Sequence, residues 1–183
     1  MDAIERVERA TAFGSEKVAG VSADDLGKGT PCAEFDVRAL LNHMIGGLGM
    51  LSVAASGGKP AMPDGDQFGA NPGDDYRKGR EALLAALRGE GAIDRDWELP
   101  FGTIPGSTMV GIAFMEHVTH GWDVAKATGQ DASIPPELVT ECMEVVVPMD
   151  AMLRIPGVCG PAIDVPDNAS AQDKLIAFLG RQP

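Results

Sequence analysis

Apolar residues at Val37, Leu40, Leu41, Met44, Ile45, Leu48 and Leu51 recur at three- and four-residue spacing. This is the strongest helical signal in the first half of the chain. Asp36 precedes it, and its carboxylate can accept from the free amides of a first helical turn. His43 lies inside this helix, between Leu40 and Gly47. An earlier segment, Asp2 to about Ala19, places Ile4, Val7, Thr11 and Val18 near one face, with charges at Glu5, Arg6, Glu8 and Arg9 on the rest. A third helix is predicted from about Pro72 to Arg88, with Tyr76, Leu83, Leu84 and Leu87 on its buried stripe. The fourth, capped by Ser107 or Thr108 and stopped by Gly129, is apolar nearly all round in its first half. It therefore reads as a central, buried helix.

Between these helices the pattern breaks. Gly, Pro and Asp crowd the stretch from Gly57 to Asp75, which predicts a long loop. Pro100 and Pro105 make Trp97 to Gly106 extended or turn-like. Pro135 and Pro136 start a helix that Pro148 kinks or ends, residues 155–168 are irregular, and Ser170 caps a short last helix. There is no internal repeat. Several helices with few strand signals predict an all-α four-helix bundle with short additional helices and irregular extensions. The whole of 1–183 reads as one domain, with a short tail over about 155–183.

Composition narrows the function classes. Of 183 residues, 44% are hydrophobic and 23% charged, which excludes a largely disordered chain. The net charge of −12 argues against nucleic acid and against anionic membrane surfaces as partners. The longest apolar run, Val110 to Met115, is far short of the roughly 18 residues of a membrane span. The N-terminus lacks the basic-then-apolar order of a signal peptide. Three widely spaced cysteines (Cys32, Cys142, Cys159) form neither a disulfide framework nor a metal knuckle. A cytoplasmic location is expected.

The chemistry concentrates at three histidines, His43, His117 and His120. Glu116 and His120 are four apart and share a helix face. With His43 from a facing helix they make two imidazoles and a carboxylate, a set that suits zinc with an open position or a non-haem iron site. A carboxylate in so apolar a helix is costly to bury unpaired, and a divalent cation would offset that cost. The bland reading is that these histidines are core residues bonded to carbonyls, or face solvent. His117 and His120 could also converge as a His-x-x-His pair. Glu116 with His120 is preferred, with His117 flanking at a cavity rim, because Glu116 and His117 lie about 100° apart around the helix. Asp123 either orients the His120 ring or is an exposed charge near Lys126. Cys32, at a helix entry, is either a thiol of depressed pKa or a buried structural residue.

Taken together, the Thr30-Pro31-Cys32 and Asp36-Val37-Arg38 runs, Leu40-Leu41-Asn42-His43, and Glu116-x-x-x-His120-Gly121-Trp122-Asp123 resemble a bacterial metal-binding family. The ending, Ala171 to Leu175 through Phe178-Leu179-Gly180-Arg181, is similar to the family's tail. The family belongs to the DinB-like superfamily, whose members include the metal-binding domain of mycothiol-dependent maleylpyruvate isomerase. The resemblance spans essentially the whole chain. It implies up-down-down-up connectivity and a divalent metal, most often zinc, held by His43, Glu116 and His120. Nickel and iron accept the same ligands. It further implies a thiol-dependent transferase or isomerase, with mycothiol as co-substrate and an electrophilic small molecule as substrate. His117 and Asp123 are the candidates for proton transfer. The isomerase carries a further C-terminal domain, so its own reaction is not expected to carry over. The alternatives are a non-catalytic metal-binding or sensing protein, and a bundle in which His43 and Glu116 simply bond to each other. A homodimer through a weakly charged helix face is also expected.

Overall fold

The structure is a computed structural model and describes residues 1–155 and 158–183. The part of the expected irregular stretch that falls on 156 and 157 lies outside the described residues. Four long helices carry the fold: α1 (Ala3–Ala19), α2 (Val37–Ala55), α3 (Pro72–Leu87) and α4 (Gly106–Thr128). A hairpin of β1 (Asp96–Leu99) and β2 (Gly102–Pro105) precedes α4. Short helices α5 (Pro136–Val146), α6 (Asp150–Leu153) and α7 (Ala171–Phe178) complete it.

The helix starts are largely those the sequence predicts. Asp36 caps α2 by accepting from the Ala39 amide, and Ser170 caps α7 through Asp173. The start of α4 differs. It begins at Gly106 with no side-chain cap, so neither Ser107 nor Thr108 serves. The hairpin supplies the start instead, because the Gly106 amide donates to the Arg95 carbonyl at 2.9 Å.

Contacts along the helices give their directions. Arg80 of α3 donates to Thr11 of α1, and Arg88 pairs with Glu8, while Gly73 lies against Ala19 at the opposite end. Helices α1 and α3 are therefore antiparallel. Gly121 of α4 packs on Phe13, and Gln130 donates to the Lys17 carbonyl, so α1 and α4 run the same way. The end of α2 meets Arg95, which also holds the start of α4, so α2 opposes α4. The connectivity is up-down-down-up.

The core is mainly aliphatic with a few large aromatics, and Leu40, Leu41 and Leu48 of α2 are buried together with Val110, Phe114 and Val118 of α4. By length and composition α2 is apolar enough to cross a membrane, and 50% of that window is buried here. The predicted long loop runs beside it. Asp66 accepts from Arg38 and Asn42, and the Gln67 amide donates to Asn42, which pins the loop along α2. Helix α5 packs on α4 and α7, and α7 carries the C-terminal residues back toward the bundle.

Candidate metal centre

Glu116 and His120 sit one turn apart on α4, on the face that meets α2. His43, in the second turn of α2, reaches across the seam. Its Nε2 lies 2.8 Å from Glu116 Oε2, and His120 Nε2 lies 3.1 Å from the same oxygen. The two imidazole rings stand edge to face, 5.1 Å between centroids. One donor atom from each of the three residues falls within 4.8 Å of the others. The cluster grades from inside to outside. His120 is 6% exposed, Glu116 28% and His43 44%, so one side opens to solvent.

A second layer fixes the inner ligand. His120 Nδ1 lies 2.9 Å from Asp123 Oδ2, and Asp123 is fully buried. With Nδ1–H donating to that carboxylate, Nε2 faces Glu116 and is the nitrogen whose lone pair a metal would take in place of a proton. This is the usual tautomer of a metal-ligating histidine. The exposed-charge reading of Asp123 is thereby corrected. Phe35 stacks on the His43 ring at 5.4 Å and 25°, and restrains it from the loop side.

Electrostatics follow from this packing. Burial pushes the Glu116 carboxyl up, but His120 and His43 beside it outweigh burial and hold it well below the usual carboxylate range. Burial pushes His120 down, but Glu116 and Asp123 overcome that and raise it to about 9. Two imidazoles around one carboxylate, with no Lys or Arg in the donor cluster, fit the chemistry of a divalent ion. In its absence a proton on His120 carries the positive charge that the carboxylates attract.

His117 departs from expectation. Rather than flanking a cavity rim it is buried, and points to the α1–α3 side, where its Nδ1 is 2.9 Å from the Tyr76 hydroxyl. Burial holds it neutral, with its pKa lowered to about 3. Its hydrogen bond among the described residues goes to Tyr76, not to the donor cluster. Cys32 lies beside the cluster, its sulfur within 4.8 Å of donor atoms of His120 and Asp123. Burial raises its pKa despite Arg181 nearby, so the depressed-pKa reading is reversed. Phe35 and Arg181 are the contributors that helical spacing does not reveal. Phe35 lies outside any helix, and Arg181 is a long-range contact of the C-terminal residues.

Comparison with known proteins places the chain in a family and finds its fold among solved structures. Residues 7–125 match the family described as the mycothiol maleylpyruvate isomerase N-terminal domain. An uncharacterized protein of Mycobacterium tuberculosis, in strains CDC 1551 / Oshkosh and ATCC 25618 / H37Rv, is 30% identical over 187 residues, covering 99% of this chain and 98% of its own. The crystal structure of the mycothiol-dependent maleylpyruvate isomerase shares the fold, with a TM-score of 0.56 at 19% identity, over 82% of this chain and 68% of that one. A histidine-to-alanine mutant of that isomerase superposes with a TM-score of 0.57 at 18% identity and the same coverage. With the family matched over well more than half its length, the chain belongs to the mycothiol maleylpyruvate isomerase N-terminal domain family.

Proposed function

We propose that this protein binds a divalent metal, most readily zinc, through His43, Glu116 and His120, and uses it in a transferase or isomerase reaction of a small thiol of the mycothiol type. The carrying observation is the convergence of three donor atoms within 4.8 Å at a seam open to solvent on the His43 side. A bound divalent ion would lower the pKa of a thiol or water and so supply a nucleophile near neutral pH. The protein's own groups prepare the place. Asp123 holds the His120 ring, Phe35 holds His43, and Glu116 supplies the negative charge. Family membership supports a small thiol as co-substrate, and an electrophilic small molecule would be its acceptor.

Elemental analysis of protein purified without an affinity tag tests the site. About one equivalent of divalent metal is expected in the wild type and none in His43→Ala. Thiol turnover should then vanish in His120→Ala, and equal rates in wild type and variant would refute the enzyme assignment.

The second reading is a non-catalytic metal-binding or sensing protein. A cavity of about 430 Å³ lies between α1, α4 and residues 145–152, and none of the donors lines it. Cobalt-substituted protein distinguishes the two. A thiolate absorption band on adding a small thiol supports the enzyme, and an unchanged spectrum supports the sensor.

A further inference from the structure

Arg181, two residues from the C-terminal end, lies against the metal centre. Its Nη2 donates to Asp123 Oδ2 at 3.2 Å, the oxygen that also accepts from His120 Nδ1. Its Nη1 donates to the Leu179 carbonyl at 2.8 Å. Both members of the Arg181–Asp123 pair are buried. The local backbone aims it there. Gly180 adopts φ +80, and a Cβ on it would come within 3.0–3.1 Å of the Gly160 backbone. Only glycine fits that turn without strain. The Arg181 amide then donates back to the Ile176 carbonyl at 3.0 Å, closing the end of α7. Arg154 clamps the same region by donating to the Gly160 and Phe178 carbonyls.

We propose that Arg181 is a positioning residue of the metal centre, acting through Asp123 on His120, so that metal affinity depends on the docked C-terminal segment. This rests on the metal-binding reading above. The physical basis is a single oxygen with two donors. Arg181 fixes the Asp123 carboxylate and balances its buried charge. Asp123 then presents Oδ2 to His120 Nδ1, which leaves Nε2 directed at Glu116. Without the guanidinium, the carboxylate is free to turn its unpartnered Oδ1 toward the ring or to rotate away. The ring loses its fixed direction, and the ligand set loses its preorganisation.

A double-mutant cycle on zinc affinity tests this, using the full-length protein, Zn²⁺ alone and a competing chromophoric chelator. Arg181→Met should weaken zinc binding by about 10- to 100-fold, the usual cost of losing an outer-shell partner. In an Asp123→Asn background the same change should have little further effect, because the path through Asp123 is already altered. The double variant also removes both buried charges together, and melting curves of metal-free protein identify the variants that fold. Full zinc affinity in folded Arg181→Met overturns the inference. So does an equal loss in both backgrounds, which would mark a purely structural role. A wild type that takes up no zinc would overturn the metal-binding reading itself and this inference with it, whereas zinc-binding wild type with an unaffected variant would overturn the inference alone.

Discussion

His117 and His120 lie three residues apart on α4, and their surroundings differ in almost every respect. His117 faces α1 and α3, meets one hydroxyl and is held neutral by burial. His120 is as deeply buried but lies between two carboxylates, which raise its pKa to about 9. Burial is nearly the same for both, so it cannot account for the difference. The partners decide it: an uncharged phenol on one side of the helix, Glu116 and Asp123 on the other. The first side packs the bundle, and the second is the side we propose for metal binding.

The largest expected effect separates these two sides. Glu116→Gln should weaken zinc binding by more than the roughly 100-fold upper range of an outer-shell change, since it replaces a charged donor. Chelator titration would read this, and the melting temperature of the metal-free protein should fall only modestly, through the lost partner of protonated His120. A large loss of metal-free stability would show that the donor face also holds the fold.

The converse change belongs to the other side. A Cβ at Gly121 would lie 2.7 Å from Phe13 Cε1 and 2.8 Å from Cδ1. Gly121→Ala should therefore cost about 1–3 kcal/mol through overpacking of α1 on α4. Urea denaturation should show that loss, while zinc affinity of the folded protein stays within a few-fold of wild type.

A smaller effect comes from protons. The folded pKa of His117 is about 3, below its ordinary value of 6.5. Between those values the unfolded chain binds the extra proton, so this group's contribution is complete above 6.5 and is lost progressively as pH falls toward 3. From pH 7 to 5.5 the loss is about 1 kcal/mol. His117→Gln should remove it, as the difference between wild-type and variant urea curves across that range. Nitrogen chemical shifts of metal-free protein at pH 7 should also show His117 neutral and His120 protonated. Matching charge states would abolish the contrast.

Much of this is legible in the amino-acid sequence alone. The 3.6-residue spacing of α2 placed His43 on a core helix, and the four-residue spacing of Glu116 and His120 put both on one face. The caps at Asp36 and Ser170 followed from local side-chain chemistry. The side of His117 was not legible, because the first half of α4 is apolar all round and gives no preferred direction. Tyr76, the partner that settles its direction, is 41 residues away. The start of α4 was misplaced for a related reason. Its first amide is satisfied by a hairpin carbonyl rather than by a neighbouring side chain. Arg181 stands out only within the family-like ending, since an arginine between Gly180 and Gln182 carries no local sign of where it docks.

The wide spacing of the site along the chain bears on when it can form. His43 and Glu116 are 73 residues apart, and Asp123 and Arg181 are 58 apart. Closing such loops is entropically costly and comes late, after local helices have formed. During synthesis the donor atoms can meet only once α4 has left the ribosome, and the Arg181 contact forms only after nearly all of the present sequence has emerged. On the metal-binding reading proposed above, an ion would thus be captured after α2 and α4 have packed, and a nascent chain would have little means of seizing it before those helices had found their order.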